Sequence, residues 1–238
     1  MTGESKANTE PWVKESGATY PYAYDPGNRL FSSLRMESRP SAVLVDPSGT
    51  IVYKGHPNSI TPDVIEKALS GALTTPVWEW PKEASKVVKH LGKGAYARAL
   101  AEAEALAQDG LDGADTFVDA VRNLIAGKAK AITGTYERGD YLGAQELARR
   151  FRKNLKGLPE EDVVKSTLKN LASGDAKKVI KAQKSIRKIV AEPPRRKKHA
   201  LEAIKALEKV AKKAAGTYAE TEAKEHIARL EAMAQKMR

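Results

Sequence analysis

Ser41-Ala-Val-Leu-Val-Asp46, Pro47-Ser48-Gly49 and Thr50-Ile-Val-Tyr-Lys54 decide the fold class of the N-terminal part. Two runs rich in β-branched residues flank a turn-forming tripeptide, the signature of a β-hairpin. Along the first run Ala42 and Leu44 point to one face and Val43 and Val45 to the other. A strand that is apolar on both faces expects cover on both, as an interior strand has. Downstream, Thr61 is placed to cap a helix, Pro62 stands in its first turn, and Val64, Ile65, Ala68, Leu69 and Leu73 recur at helical spacing. Gly71 falls late in that pattern and blurs where the helix ends.

Upstream, Trp12-Val-Lys-Glu-Ser-Gly17 reads as the last turns of a helix with a glycine stop. A short extended stretch, Thr19 to Tyr24, follows, and Asp25-Pro-Gly-Asn28 turns the chain. Leu30, Phe31 and Leu34 give a short helix over Arg29 to Met36, which leads through Ser38-Arg39-Pro40 into the hairpin. The order is helix end, strand, helix, X-Pro, hairpin, helix. That order resembles the second half of the thioredoxin-like superfamily, in particular the redoxin or TlpA-type thiol:disulfide oxidoreductases. The resemblance covers residues 1 to 75. It implies that Arg39 and Pro40 occupy the family's cis-proline position, where backbone groups line the groove for an extended substrate.

The departure from the family is as informative as the match. A thioredoxin-like domain opens with a central strand and a Cys-x-x-Cys helix start that lowers a thiol pKa. This sequence contains no cysteine, so it cannot supply the nucleophile, and the resemblance begins after those elements. The expectation is a protein whose catalytic half precedes Met1. A degenerate relative, or a sheet covered by the C-terminal helices, are the alternatives. An uncovered strand would leave residues 41 to 46 open to self-association.

Thr75-Pro-Val-Trp-Glu-Trp-Pro81 marks a joint, with two prolines bracketing two tryptophans. From Lys82 the pattern is helical almost throughout, with turn signals at Gly92 to Gly94, Asp109 to Gly113, Gly139, Gly157 to Pro159, Gly174, Pro193-Pro194 and Gly216. Seven or eight helices are expected. Lys93-Gly-Ala-Tyr-Ala-Arg-Ala99 recurs as Arg138-Gly-Asp-Tyr-Leu-Gly-Ala144, and in weaker form at Ser173-Gly-Asp-Ala176 and Ala215-Gly-Thr-Tyr218. Glycine would end one helix and tyrosine would pack where the pair meets. These copies resemble degenerate tetratricopeptide-like hairpins. A hairpin stack and an irregular bundle both fit. The fold class is therefore α+β: a partial thioredoxin-like domain over 1–75, a Pro/Trp linker over 76–81, and an all-α domain over 82–238.

Charge is uneven. Residues 1 to 80 hold 7 Lys+Arg against 9 Asp+Glu, and the remainder holds 34 against 21, so the net +11 belongs to the helical part. The clusters Arg149, Arg150, Arg152, Lys153, Lys156 and Pro193-Pro-Arg-Arg-Lys-Lys-His199 could touch phosphates. Apart from Phe151 between Arg150 and Arg152, neither is interleaved with aromatic residues, and both read as solvated helix surface rather than a nucleic-acid site. A protein partner for the helical domain is the expected interaction. His56, His90, His199 and His226 are scattered without metal-ligand spacing, so no metal is implied. No nucleotide-binding loop, Gly-x-Ser-x-Gly or dinucleotide fingerprint is present, and no cofactor is implied. Met1 to Glu10 is polar, unlike a signal peptide, and no apolar run approaches the roughly 20 residues of a membrane span. The chain reads as soluble.

Overall fold

The computed structural model describes residues 5–17, 24–34, 36, 38–47, 50–69, 72, 77–192, 194 and 196–237. The chain divides into two compact units, Met1–Ser70 and Gly71–Arg238. The expected strand over Thr19 to Tyr24, the hairpin tip Ser48-Gly49 and Leu73 lie outside the described residues, apart from Tyr24.

In the first unit, helix α1 spans Lys6–Glu15, capped by Ser5, whose side chain accepts from Asn8 N–H. It ends at Ser16, and Gly17 takes the left-handed conformation at φ +61°. A 3₁₀ turn at Pro26–Asn28 runs into α2, Arg29–Ser33. Helix α2 is shorter than the Arg29 to Met36 span read from sequence. Its last turn closes with Leu34 N–H donating to Leu30 O at 2.9 Å.

Strands β1 (Ala42–Val45) and β2 (Ile51–Gly55) pair antiparallel, with Ala42 opposite Gly55, Val43 opposite Lys54 and Leu44 opposite Tyr53. The register then shifts, so that Val45 faces Ile51 and one extra residue, Val52, is accommodated on β2. Helix α3, Pro62–Leu69, packs on β1.

The cover expected for an interior strand is not seen among the described residues. Among the described residues β1 has only β2 beside it, and a two-stranded ribbon cannot cover both faces of its own strands. Val45, Ile51 and Val52 are 52%, 46% and 46% exposed. The α3 stripe shares this fate: Ala68 is buried, while Ile65 and Leu69 are exposed.

The second unit is all-helical. After 3₁₀ turns at Val77–Glu79 and Lys82–Ala84 come α4 (Ser85–Gly92), α5 (Tyr96–Gln108), α6 (Ala114–Glu137), α7 (Tyr141–Phe151), α8 (Glu161–Asn170), α9 (Gly174–Ile189), α10 (Lys197–Lys213) and α11 (Tyr218–Lys236). Each connection falls at a turn signal read from sequence, except that Gly174 opens α9 one residue after its connection.

Trp80 is buried and meets the Phe117 ring at 4.5 Å between centroids, so it belongs to the helical core. The 24-residue α6 is the organising element, packing against α5, α7 and α8. Its Val121, Ile125 and Ile132 are 0–2% exposed. A second cluster, around Leu142, Leu171 and Ile180, joins α7 to α9. A third, around Ile186, Leu207 and Leu230, holds α9, α10 and α11 together.

The recurring motif has a physical basis in three of its four copies. Gly94, Gly139 and Gly216 lie at φ +66°, +83° and +75°, each between the helices of a packed pair. In the first two copies the alanines five and nine residues on, Ala99 and Ala103 and then Ala144 and Ala148, are all fully buried. Small side chains there let the helices approach closely. Gly174 departs from the pattern: it is the first residue of α9, behind the N-cap Ser173. Helix lengths from 8 to 24 residues make the whole an irregular assembly of hairpins rather than a uniform repeat.

A Cβ added at Gly139 would lie 3.0 Å from Tyr218 Cβ, in a backbone conformation that L-residues avoid. Gly139→Ala is therefore expected to destabilise the helical unit by about 1–2 kcal/mol from the backbone alone. A lowered urea midpoint with an unchanged slope would show it.

Candidate functional site

Arg39 and Pro40 stand where the chain leaves α2 for β1, both exposed, and the peptide bond between them is cis. The Arg39 side chain is held from two directions. Its Nη2 donates to Asn28 Oδ1 at 2.6 Å. Its guanidinium lies 4.6 Å from the centroid of the Phe31 ring, a cation–π contact worth about 0.5–1 kcal/mol at an exposed position. Asn28 can reach because it sits at φ +54°, the left-handed conformation that asparagine tolerates better than most residues. The Ser41 hydroxyl donates to Ser38 O and tightens the loop. Lys54 Nζ donates to Leu34 O at 3.5 Å, which ties β2 to the end of α2.

Asp25, before α2, is one of the few buried polar residues of the first unit. Its carboxylate accepts from Leu30 N–H at 2.9 Å and Phe31 N–H at 3.0 Å. It thereby satisfies amides at the start of α2 that have no helical partner. These two bonds, with a smaller contribution from the Arg39 charge, hold the Asp25 carboxyl below its ordinary value of 3.8. Because the folded pKa is depressed, the stabilising contribution is present above pH 3.8 and is lost as the pH falls through the folded value. The amide resonances of Leu30 and Phe31 are expected to titrate together with a midpoint below 3.8, and Asp25→Asn to abolish that titration. An NMR pH series checks both.

This corner presents a fixed cation and a strand start, and the chain has no thiol to act there. The sequence singled out Arg39 and Pro40 but not Asn28 and Phe31, which hold the Arg39 side chain, nor Asp25, which holds the start of α2. Asp25-Pro-Gly-Asn28 was legible as a turn; its reach across to Arg39 depends on the path of the chain between them.

The other residues singled out in the sequence are not brought together. His56 is exposed, and its Nδ1 accepts from Asn58 N–H at 3.2 Å, which makes it the cap of a 3₁₀ turn. His226 is buried on α11, and His199 is exposed at the start of α10. Among the described residues no cluster of acids and histidines fits a metal ion. Arg149, Arg150, Arg152, Lys153 and Lys156 are exposed around the end of α7, where positive charge favours the helix dipole. No helix among the described residues is long and apolar enough to cross a membrane.

A polar node that the sequence did not show lies in the helical unit. Gln183, 1% exposed on α9, accepts from Leu142 N–H at 2.9 Å and donates from Nε2 to Asp140 Oδ1 at 2.8 Å. Asp140 also caps α7 through Gly143 N–H. Arg187 and Glu146 pair beside it at 2.6 Å. Both the oxygen and the nitrogen of the buried Gln183 amide have a partner, as a packed helix junction requires, and the node fixes α9 against the start of α7. No family model, curated protein or solved structure matches the chain.

Proposed function

We propose that residues 1 to 75 form the C-terminal part of a thioredoxin-like domain of the redoxin or TlpA type. In this reading Arg39 and Pro40 line the groove that receives an extended, cysteine-containing substrate. The observation that carries it is the sequence of elements on a single path: α2, Arg39-Pro40, β1, an antiparallel β2, and α3 packed back on β1. The edge of β1 that no described residue pairs, and the exposed Val45, Ile51 and Val52, are what such a part leaves for further strands and helices to cover. The sulfur for thiol–disulfide exchange has to come from outside these 238 residues, so the chain by itself is redox-inactive. The helical unit is a scaffold that presents a surface to a protein partner, its paired helices held by small buried alanines.

Two measurements test this reading. The chain should give no disulfide reduction above the uncatalysed rate; turnover by it would overturn the assignment. An extended cysteine-containing peptide should shift the amide resonances of Arg39 and of Ser41 to Val45, and Arg39→Ala should weaken the effect. Shifts confined to the helical unit would leave scaffold as the only function.

A further inference from the structure

Helix α9 differs from its neighbours in how its charges are placed. Within Gly174–Ile189 the only acid is Asp175, against Lys177, Lys178, Lys181, Lys184, Arg187 and Lys188. Asp175 pairs with Lys178 at 3.0 Å, and Arg187 is taken by Glu146. Lys177, Lys181, Lys184 and Lys188 remain, spaced at four, three and four residues. At 100° per residue they fall within an arc of about 60° and extend over about 16 Å of helix. All four are exposed, and none forms an ion pair among the described residues.

Like charges three and four residues apart repel, and Lys177 also opposes the dipole at its end of the helix. Neighbouring helices avoid this cost with acids at the same spacing: Lys165 pairs with Glu161 at 3.2 Å on α8, and Lys224 with Glu220 at 2.6 Å on α11. Further unbalanced charge follows α9 along the chain. Residues 191–196 lead into α10, which packs against α9 and opens with Arg196, Lys197 and Lys198 and no acid in its first turn. Cations at a helix N-terminus are again disfavoured by the dipole. Two adjacent elements thus hold unbalanced positive charge that the fold itself does not use.

We propose that the lysine stripe of α9, continued by Arg196, Lys197 and Lys198, is a docking surface for the phosphodiester backbone of a nucleic acid. This goes beyond the thioredoxin-like reading and stands independently of it. Charge complementarity selects the occupant. Protein interfaces are depleted in lysine and centred on aromatic or arginine anchors, and this stripe has neither. Membrane-surface helices set their basic face beside a broad apolar one that enters the lipid, whereas the apolar residues of α9 are committed to α7, α10 and α11. What remains is a row of point charges about 4.5–6 Å apart, suited to a linear polyanion and indifferent to sequence.

The test is fluorescence anisotropy of the full chain with a labelled 20-base-pair DNA duplex between 50 and 200 mM salt, beside vesicles containing phosphatidylserine. Up to seven contacts predict a slope of log K against log salt of about −4 to −6. The variant with Lys177, Lys181, Lys184 and Lys188 all changed to glutamine should flatten that slope by roughly 3 to 4 and weaken binding at 50 mM salt by at least ~10²-fold. Arginine at the same four positions should keep it. A charge-matched control, Lys89, Lys93, Lys130 and Lys205 changed to glutamine, should lose much less. Equal losses in the two glutamine variants, no binding at 50 mM salt, or binding to vesicles but not to DNA would each overturn the proposal.

Discussion

Backbone amides of β1 and β2 are expected to exchange with deuterium at least about 10³-fold faster, relative to their intrinsic rates, than the amides at the centre of α6. The reason is burial. Among the described residues the only buried apolar side chain in the first unit is Ala68, whereas Val121, Ile125 and Ile132 of α6 are sealed. Trp12, Leu30, Val45, Ile51, Val52, Ile65 and Leu69, all of the first unit, stand 43–60% exposed. At about 25 cal/mol per Å² of apolar surface removed from water, a hairpin that hides so little opens at small free energy. Helix α6 opens only when the helical unit unfolds, and a domain of that size is stable by roughly 5–15 kcal/mol. Comparable protection in both places would show that the first unit is complete as it stands. That would remove the main support for reading it as part of a larger sheet. If a strand does join the open edge, the amides of β1 should gain protection when it binds.

The same contrast separates what was legible in the sequence from what was not. Local signals carried the backbone. The β-branched runs gave the hairpin, and glycines with the right neighbours gave the helix ends. Gly94, Gly139 and Gly216 each sit at positive φ at a predicted boundary. Burial was less legible, because it depends on what lies opposite. The pattern Val64, Ile65, Ala68, Leu69 is that of a buried helix face, yet Ile65 and Leu69 face solvent. Likewise Arg39 and Pro40 were singled out by their place before a strand, while the Asn28 and Phe31 contacts of Arg39 were not, since spacing alone does not show a chain folding back over eleven residues. The lysine stripe was overlooked for another reason. It contains no run of consecutive basic residues longer than two, and on a helix the residues that share a face are three and four apart.

Replacing Ile132 by alanine is expected to destabilise the helical unit by about 2–5 kcal/mol, the cost of removing three buried carbons and leaving a cavity. Ile132 is 0% exposed, in the same cluster as Phe117, Val121, Ile125 and Ala148. It lies on the helix that α5, α7 and α8 all contact. Its neighbours are held from several sides and cannot easily collapse into the space, which favours the upper part of that range. Ile132→Val, which removes a single methylene, should cost about 0.5–1.5 kcal/mol. Ile65→Ala, at a site 43% exposed on α3, should cost about 0.5 kcal/mol or less. Urea unfolding followed by far-ultraviolet circular dichroism reads all three, because the helices dominate that signal. The ordering Ile132→Ala, then Ile132→Val, then Ile65→Ala is the result that supports a core centred on α6. An Ile132→Ala cost below about 1 kcal/mol would mean that the helices around α6 repack freely, and the hairpins would then be stabilised pair by pair rather than by a shared core.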